Sequence, residues 1–125
     1  MHGPLRDVVL CHCVECRRWS GYAGAFTATR TEHLVLTSDD ALRWIESPES
    51  ARSARRGYCA ECGSNLFWAP ASGERLCVMA GTLDQPTGLS LAMHVFVNDA
   101  GDYYRITDGL PTRVDGDHGI PLPQS

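Results

Sequence analysis

Two thiol clusters constrain this chain more than any other feature. The first is Cys11-His12-Cys13-Val14-Glu15-Cys16, the second Tyr58-Cys59-Ala60-Glu61-Cys62-Gly63-Ser64. In an extended strand, residues i and i+2 face the same way, so Cys11 and Cys13 share a face while His12 looks away. A turn after Cys13 can then bring Cys16 beside them. Three thiolates on one side of a zinc ion leave a fourth position for water, a substrate thiolate or another side chain. In the second cluster, CxxC followed by Gly63 predicts a tight knuckle. Glycine takes the positive φ that such a turn needs, and backbone amides aimed at the sulfurs favour the thiolate. Two such ligands make half of a tetrahedral structural site.

The compartment decides between this reading and disulfides. The start, Met1-His2-Gly3-Pro4-Leu5-Arg6-Asp7, lacks the basic and apolar stretches of a secretory signal. No apolar run is long enough to cross a bilayer. A cytoplasmic location is therefore expected, and there clustered thiols bind metal or react more often than they pair. Metal ligation is the reading for Cys11, Cys13, Cys16, Cys59 and Cys62. A redox dithiol at Cys59 and Cys62 is disfavoured because no thioredoxin-like βαβ pattern surrounds them. Cys77, between Leu76 and Val78, reads as a small buried apolar side chain. His94, between Met93 and Val95, reads as a partly buried strand residue rather than a ligand. His33 and His118 have no supporting neighbours.

The remaining chemistry is cationic and aromatic. The 125 residues fit one domain, placed at 1–111 with a loop-like or disordered Gly/Pro/Asp-rich tail at 112–125. Net charge is −4, which gives no strong pull towards nucleic acid. All 11 basic residues are arginine, whose fork suits carboxylates and phosphates. Arg17, Arg18, Arg52, Arg55 and Arg56 lie close in sequence to the thiols. They read either as a solvated surface that favours thiolates or as clamps for an acidic ligand. Trp19, Tyr22 and Trp44 are available for core packing or for a partner.

Short β-rich runs separated by turns predict an all-β domain with little helix. Strands are expected at Val8-Val9-Leu10, Phe26 to Thr29, His33 to Thr37, Asn65 to Trp68, Arg75 to Ala80, Met93 to Val97 and Tyr103 to Ile106. Between Asp39 and Ser53, a helical turn over Ala41 to Ile45 and a short strand are equal candidates. Arg52 to Gly57 reads as a basic loop.

Several pieces, in order, resemble the glutathione-dependent formaldehyde-activating enzyme family, which also includes centromere protein V. They are Val9-Leu10-Cys11-His12-Cys13-Val14-Glu15-Cys16-Arg17-Arg18, Ser20-Gly21 and Tyr58-Cys59-Ala60-Glu61-Cys62-Gly63-Ser64. Ala80-Gly81-Thr82-Leu83-Asp84, His94-Val95-Phe96-Val97 and Asp108-Gly109-Leu110-Pro111 follow. The resemblance implies curled antiparallel sheets stapled by zinc, a β-tent-like fold. It implies a labile, catalytic zinc on Cys11, Cys13 and Cys16, and half of a structural zinc site on Cys59 and Cys62. The family completes that second site with a CxCG pair on an earlier strand. No such pair precedes Cys11 in this sequence, as a start placed too far downstream would leave it. Cys59 and Cys62 are then expected to be metal-free, to use other ligands, or to share one zinc with the first cluster.

The implied activity is that of a carbon–sulfur lyase acting on a small-molecule thiol adduct. Glutathione is the co-substrate and S-hydroxymethylglutathione the adduct, with Arg17, Arg18 and Arg56 as candidate carboxylate clamps. A non-catalytic zinc module that binds a partner protein is the alternative. Neither nucleic acid nor a membrane is expected as a partner, and the sequence is silent on oligomeric state.

Overall fold

The computed structural model describes residues 4–47, 54–116 and 122. Its elements, in chain order, are β1 (Val8–Cys11), α1 (Val14–Ser20), β2 (Gly24–Arg30), β3 (Leu42–Glu46), β4 (Arg55–Cys59), β5 (Asn65–Ala69), β6 (Arg75–Met79) and β7 (Leu91–Val95), with short 3-10 turns at Thr31–His33, Ala80–Thr82 and Val97–Asp99. The strands form one open sheet in the order β3-β4-β5-β6-β2-β1-β7. The fold is mostly sheet, as the β-rich runs predict. All neighbours are antiparallel except β1 and β7, which run parallel with Leu10 opposite His94 and Cys11 opposite Val95. That pair makes the sheet mixed rather than wholly antiparallel.

Alternation along β2 and β6 builds two cores on opposite faces. Phe26 pairs with Met79 and Ala28 with Cys77. On that face Cys16, Phe26, Ala28 and Cys77 are buried, and Cys11, Cys13, Trp68 and Met79 pack against them. The other face of β6 offers Leu76 and Val78, which join Phe67 and Ala69, with Leu34, Leu42 and Trp44 alongside. Cys77 is thus the small apolar side chain that its neighbours suggest. Thr27 and Thr29 are also fully buried, a position that polar groups tolerate only when bonded. Thr27 Oγ1 donates to the carbonyl of Arg6, and Thr29 Oγ1 to that of Pro4 at 3.3 Å. The segment before β1 therefore lies across β2.

Several local expectations change. His33 to Thr37 is not a strand: a 3-10 turn covers Thr31–His33 and irregular chain follows, leaving Val35 and Leu36 exposed. β-branched residues there find no ladder partner, because β6 and β1 already flank β2. Tyr103 to Ile106 is turn and coil. Residues 55–59, expected to begin in a loop, form β4, with Arg56 opposite both Ile45 and Trp68. Leu42–Glu46 resolves to the strand alternative. Arg52 and His118 lie outside the described residues. At the far edge, residues 111–115 run beside β7: His94 N donates to Pro111 O at 2.9 Å, Arg113 N to His94 O at 2.9 Å and Phe96 N to Asp115 O at 3.1 Å.

Candidate metal and thiol site

Cys11 ends β1, Cys13 caps α1 and Cys16 lies in that helix's first turn. The chain is still extended at Cys13 (φ −62°, ψ 159°), as the i, i+2 argument requires, and becomes helical at Val14. Cys13 Sγ accepts from the backbone N–H of Cys16 at 3.3 Å, doing with sulfur what a serine or aspartate cap does with oxygen. Gly21 closes the helix in the left-handed region (φ 82°), its N–H donating to Arg17 O at 2.9 Å. The sequence reading missed this helix. Its start signal is a thiol, which is not among the usual caps, although Gly21 was a readable stop.

The sulfurs of Cys11, Cys13 and Cys16 all lie within 4.8 Å of one another. Three thiolates bound to a tetrahedral zinc at about 2.3 Å would sit roughly 3.8 Å apart, so the donor set fits that ion with only small movements. No disulfide joins any of the six cysteines among the described residues. Without an ion, the three thiols share protons unequally. The Cys11 thiol, then the Cys16 thiol, donates to Cys13 and holds it well below the ordinary thiol range, with help from Arg56. Cys11 is pushed up by giving that hydrogen bond. Cys16 is drawn down by Cys11, but its bond to Cys13 and its burial raise it overall. One sulfur is thus ready as an anion, and two release protons when a cation arrives.

Arg56 stands beside this trio rather than in solvent, at 4% exposure. Its Nη2 lies 3.5 Å from Cys16 Sγ and 3.7 Å from Glu15 Oε2, and its Nε donates to Ser47 Oγ at 3.4 Å. Ser47 Oγ in turn donates to Glu15 Oε1. The guanidinium stacks 4.8 Å above the Trp19 ring. Arg17 is partly buried and Arg18 exposed, both in the last turn of α1. Trp19 is engaged by Arg56, and Trp44 by Phe67 and Arg55, which leaves Tyr22 as the exposed member of the three aromatics.

Cys59 and Cys62 form the expected knuckle. Gly63 has φ 78°, its N–H donates to Cys59 O at 2.7 Å, and Cys59 N donates to Ser64 O at 2.9 Å. Cys62 is exposed, and the Ser64 hydroxyl 3.1 Å away lowers its pKa. The knuckle stands apart from the trio, which among the described residues is the one group of three or more candidate ligands. The five cysteines do not come together as a shared site.

A groove of about 390 Å³ lies between the end of α1 and the chain that follows the knuckle, with no cysteine in its lining. Ser20, Tyr22, Ser64, Asn65, Met79 and Thr82 are among the residues that line it. Met79 packs against the core cluster that contains Cys16, and Ser20 Oγ donates to Cys16 O at 2.5 Å. None of the residues lining it carries a charge.

The sequence model of one family, described as the glutathione-dependent formaldehyde-activating enzyme, matches residues 2–99. The chain belongs to that family. No individual curated protein matches it. Membership suggests glutathione-related formaldehyde chemistry, and the trio is where this member could hold a metal. Among the described residues, no helix is long and apolar enough to cross a membrane.

Proposed function

We propose that this family member makes and breaks the carbon–sulfur bond of a small thiol–formaldehyde adduct, with glutathione as the thiol. In the forward direction, the thiol sulfur bonds to the formaldehyde carbon. The carbonyl π pair becomes a hydroxyl that takes up the proton given by the thiol, and the reverse reaction returns both molecules. Zinc held by Cys11, Cys13 and Cys16 would supply a cation that keeps a fourth sulfur in its reactive anionic form.

The chain's own residues do the rest. Arg56 offsets the negative charge gathered on the sulfurs. Arg17 and Arg18, on the turn that leads to the groove, are the candidate clamps for carboxylates. The uncharged groove takes the neutral body of the thiol, its walls offering hydroxyl and amide partners to peptide groups. Cys59 and Cys62 are proposed as half of a separate, structural metal site. A reducing, cytoplasmic setting suits so many thiols.

The observation that carries this reading is the trio of thiols spaced to receive one ion, in a chain that belongs to this family. Because thiol and formaldehyde combine unaided, the test is exchange spectroscopy of S-hydroxymethylglutathione with and without protein. Catalysed exchange that disappears in Cys13→Ala, with the fold intact by circular dichroism, supports the proposal. Exchange at the uncatalysed rate with zinc-loaded protein refutes it and favours a non-catalytic module.

A further inference from the structure

The resemblance pieces at His94 and Asp108 take no part in the trio, and neither does the histidine between Cys11 and Cys13. The structure brings them together with a tyrosine that the sequence did not single out. His12 is fully buried and His94 3% exposed. Asp108 Oδ2 lies 2.8 Å from His94 Nε2, His94 Nδ1 lies 2.9 Å from His12 Nε2, and His12 Nδ1 lies 2.5 Å from the Tyr104 hydroxyl. A carboxylate can only accept, so His94 must carry its proton on Nε2 and accept on Nδ1. His12 then donates from Nε2 and accepts the phenolic hydrogen of Tyr104 on Nδ1. With both histidines neutral, the chain has one direction, fixed at its Asp108 end.

Each end is anchored. Asp108 Oδ1 accepts from Leu110 N at 3.0 Å, and the segment that follows is bonded to both sides of His94 through Pro111 O and Arg113 N. Tyr104 packs against Tyr22 and Tyr103, with ring centroids 4.5 and 5.1 Å away. The His12 backbone N–H donates to Val95 O at 3.0 Å. A ring bonded at both nitrogens cannot swing about its own side-chain torsions, and this ring belongs to the residue that links two of the three sulfurs. The backbone of this corner is tied to β7 through His12 N and to α1 through Cys13 O, which accepts from Arg17 N at 2.8 Å, and the His12 ring adds a third hold between them.

We propose that Asp108, His94 and Tyr104 are positioning residues for the thiol trio, acting through His12 to hold Cys11 and Cys13 at the spacing that receives an ion. The proposal rests on the reading of the trio as a metal site. Hydrogen-bond partners of metal ligands commonly set affinity by about 10- to 100-fold, and because this network reaches two ligands through the backbone of His12, the lower end of that range is expected.

The test measures zinc affinity by competition with a chromogenic chelator, the stability of the metal-free protein in urea, and the cobalt(II) spectrum. Asp108→Ala cuts the far end of the chain and Tyr104→Phe the near end. Each is expected to weaken zinc at least tenfold and to shift the cobalt ligand-field bands, which a general loss of packing would not do in a folded protein. Asp108→Asn keeps an oxygen for Leu110 and turns an amide NH2 towards His94. The chain then survives with both tautomers reversed, visible in histidine nitrogen-15 shifts, and zinc affinity is expected within threefold of wild type. Wild-type affinity and unchanged cobalt bands in Tyr104→Phe, or in a folded Asp108→Ala, overturn the proposal. A wild-type protein that binds no zinc overturns instead the reading of the trio.

Discussion

Replacing Arg56 tests how the protein tolerates three sulfurs in one place. Its Nη2 is 3.5 Å from Cys16 Sγ, where two unit charges at an effective dielectric of 20 attract by about 5 kcal/mol. Glu15, 3.7 Å from the same nitrogen, takes up part of that charge, and a metal-bound sulfur carries only a fraction of its own. A net loss of about 1.5–3 kcal/mol remains for Arg56→Met, equivalent to weakening zinc roughly 10- to 100-fold. Methionine keeps apolar bulk over Trp19, so the change is chiefly electrical. Arg56→Lys restores the charge, but its single ammonium cannot serve Cys16, Ser47 and Glu15 together. It should recover part of the affinity. Chelator competition reads the constants, and circular dichroism confirms the fold. Zinc affinity within twofold of wild type in a folded Arg56→Met protein would refute the argument.

Three further predictions follow from the same geometry. Cys77→Ala should cost about 1 kcal/mol in urea unfolding, as deletion of a small buried group does, and leave zinc stoichiometry unchanged; a drop in bound zinc would show that the ligand set is wrong. The amide of Leu110, and then His94, holds the Asp108 carboxyl below its ordinary 3.8. A depressed carboxylate stabilises above its unfolded pKa and loses that contribution as pH falls through the folded one. The stability gap between wild type and Asp108→Ala should therefore not shrink between pH 8 and 5, closing only below about 4; closure near pH 6 would contradict this. Chelation should speed hydrogen exchange at 11–17 and spare the β3–β6 ladders, whose core on the far face does not include the trio. Loss of protection throughout the sheet would instead mark a purely structural metal.

The sequence exposed what depends on spacing and concealed what depends on distant partners. Cys11 and Cys13 share a face because strand geometry repeats every two residues, and Gly63 turns the knuckle because glycine alone takes φ 78° freely. The seven-residue helix escaped notice because a thiol caps it. Residues 33–37 have strand composition, but a strand also needs a neighbour, and composition cannot supply one. Arg56 read as either a solvated cation or a carboxylate clamp, because nothing local indicates burial against Cys16 and Trp19. His12 and Tyr104 alone are 92 residues apart, and Asp108 is farther still, so their chain had no local signature. The apolar flanks of His94 gave only its burial.

The measurement that bears most directly on the central claim is X-ray absorption at the zinc edge, in wild type and in a Cys59→Ser/Cys62→Ser variant, before and after adding glutathione. The account predicts that the variant keeps one zinc with three protein sulfurs and one lighter ligand, and that glutathione raises the sulfur count to four. Four sulfurs in the variant before any thiol is added, or no zinc once Cys59 and Cys62 are gone, would contradict it.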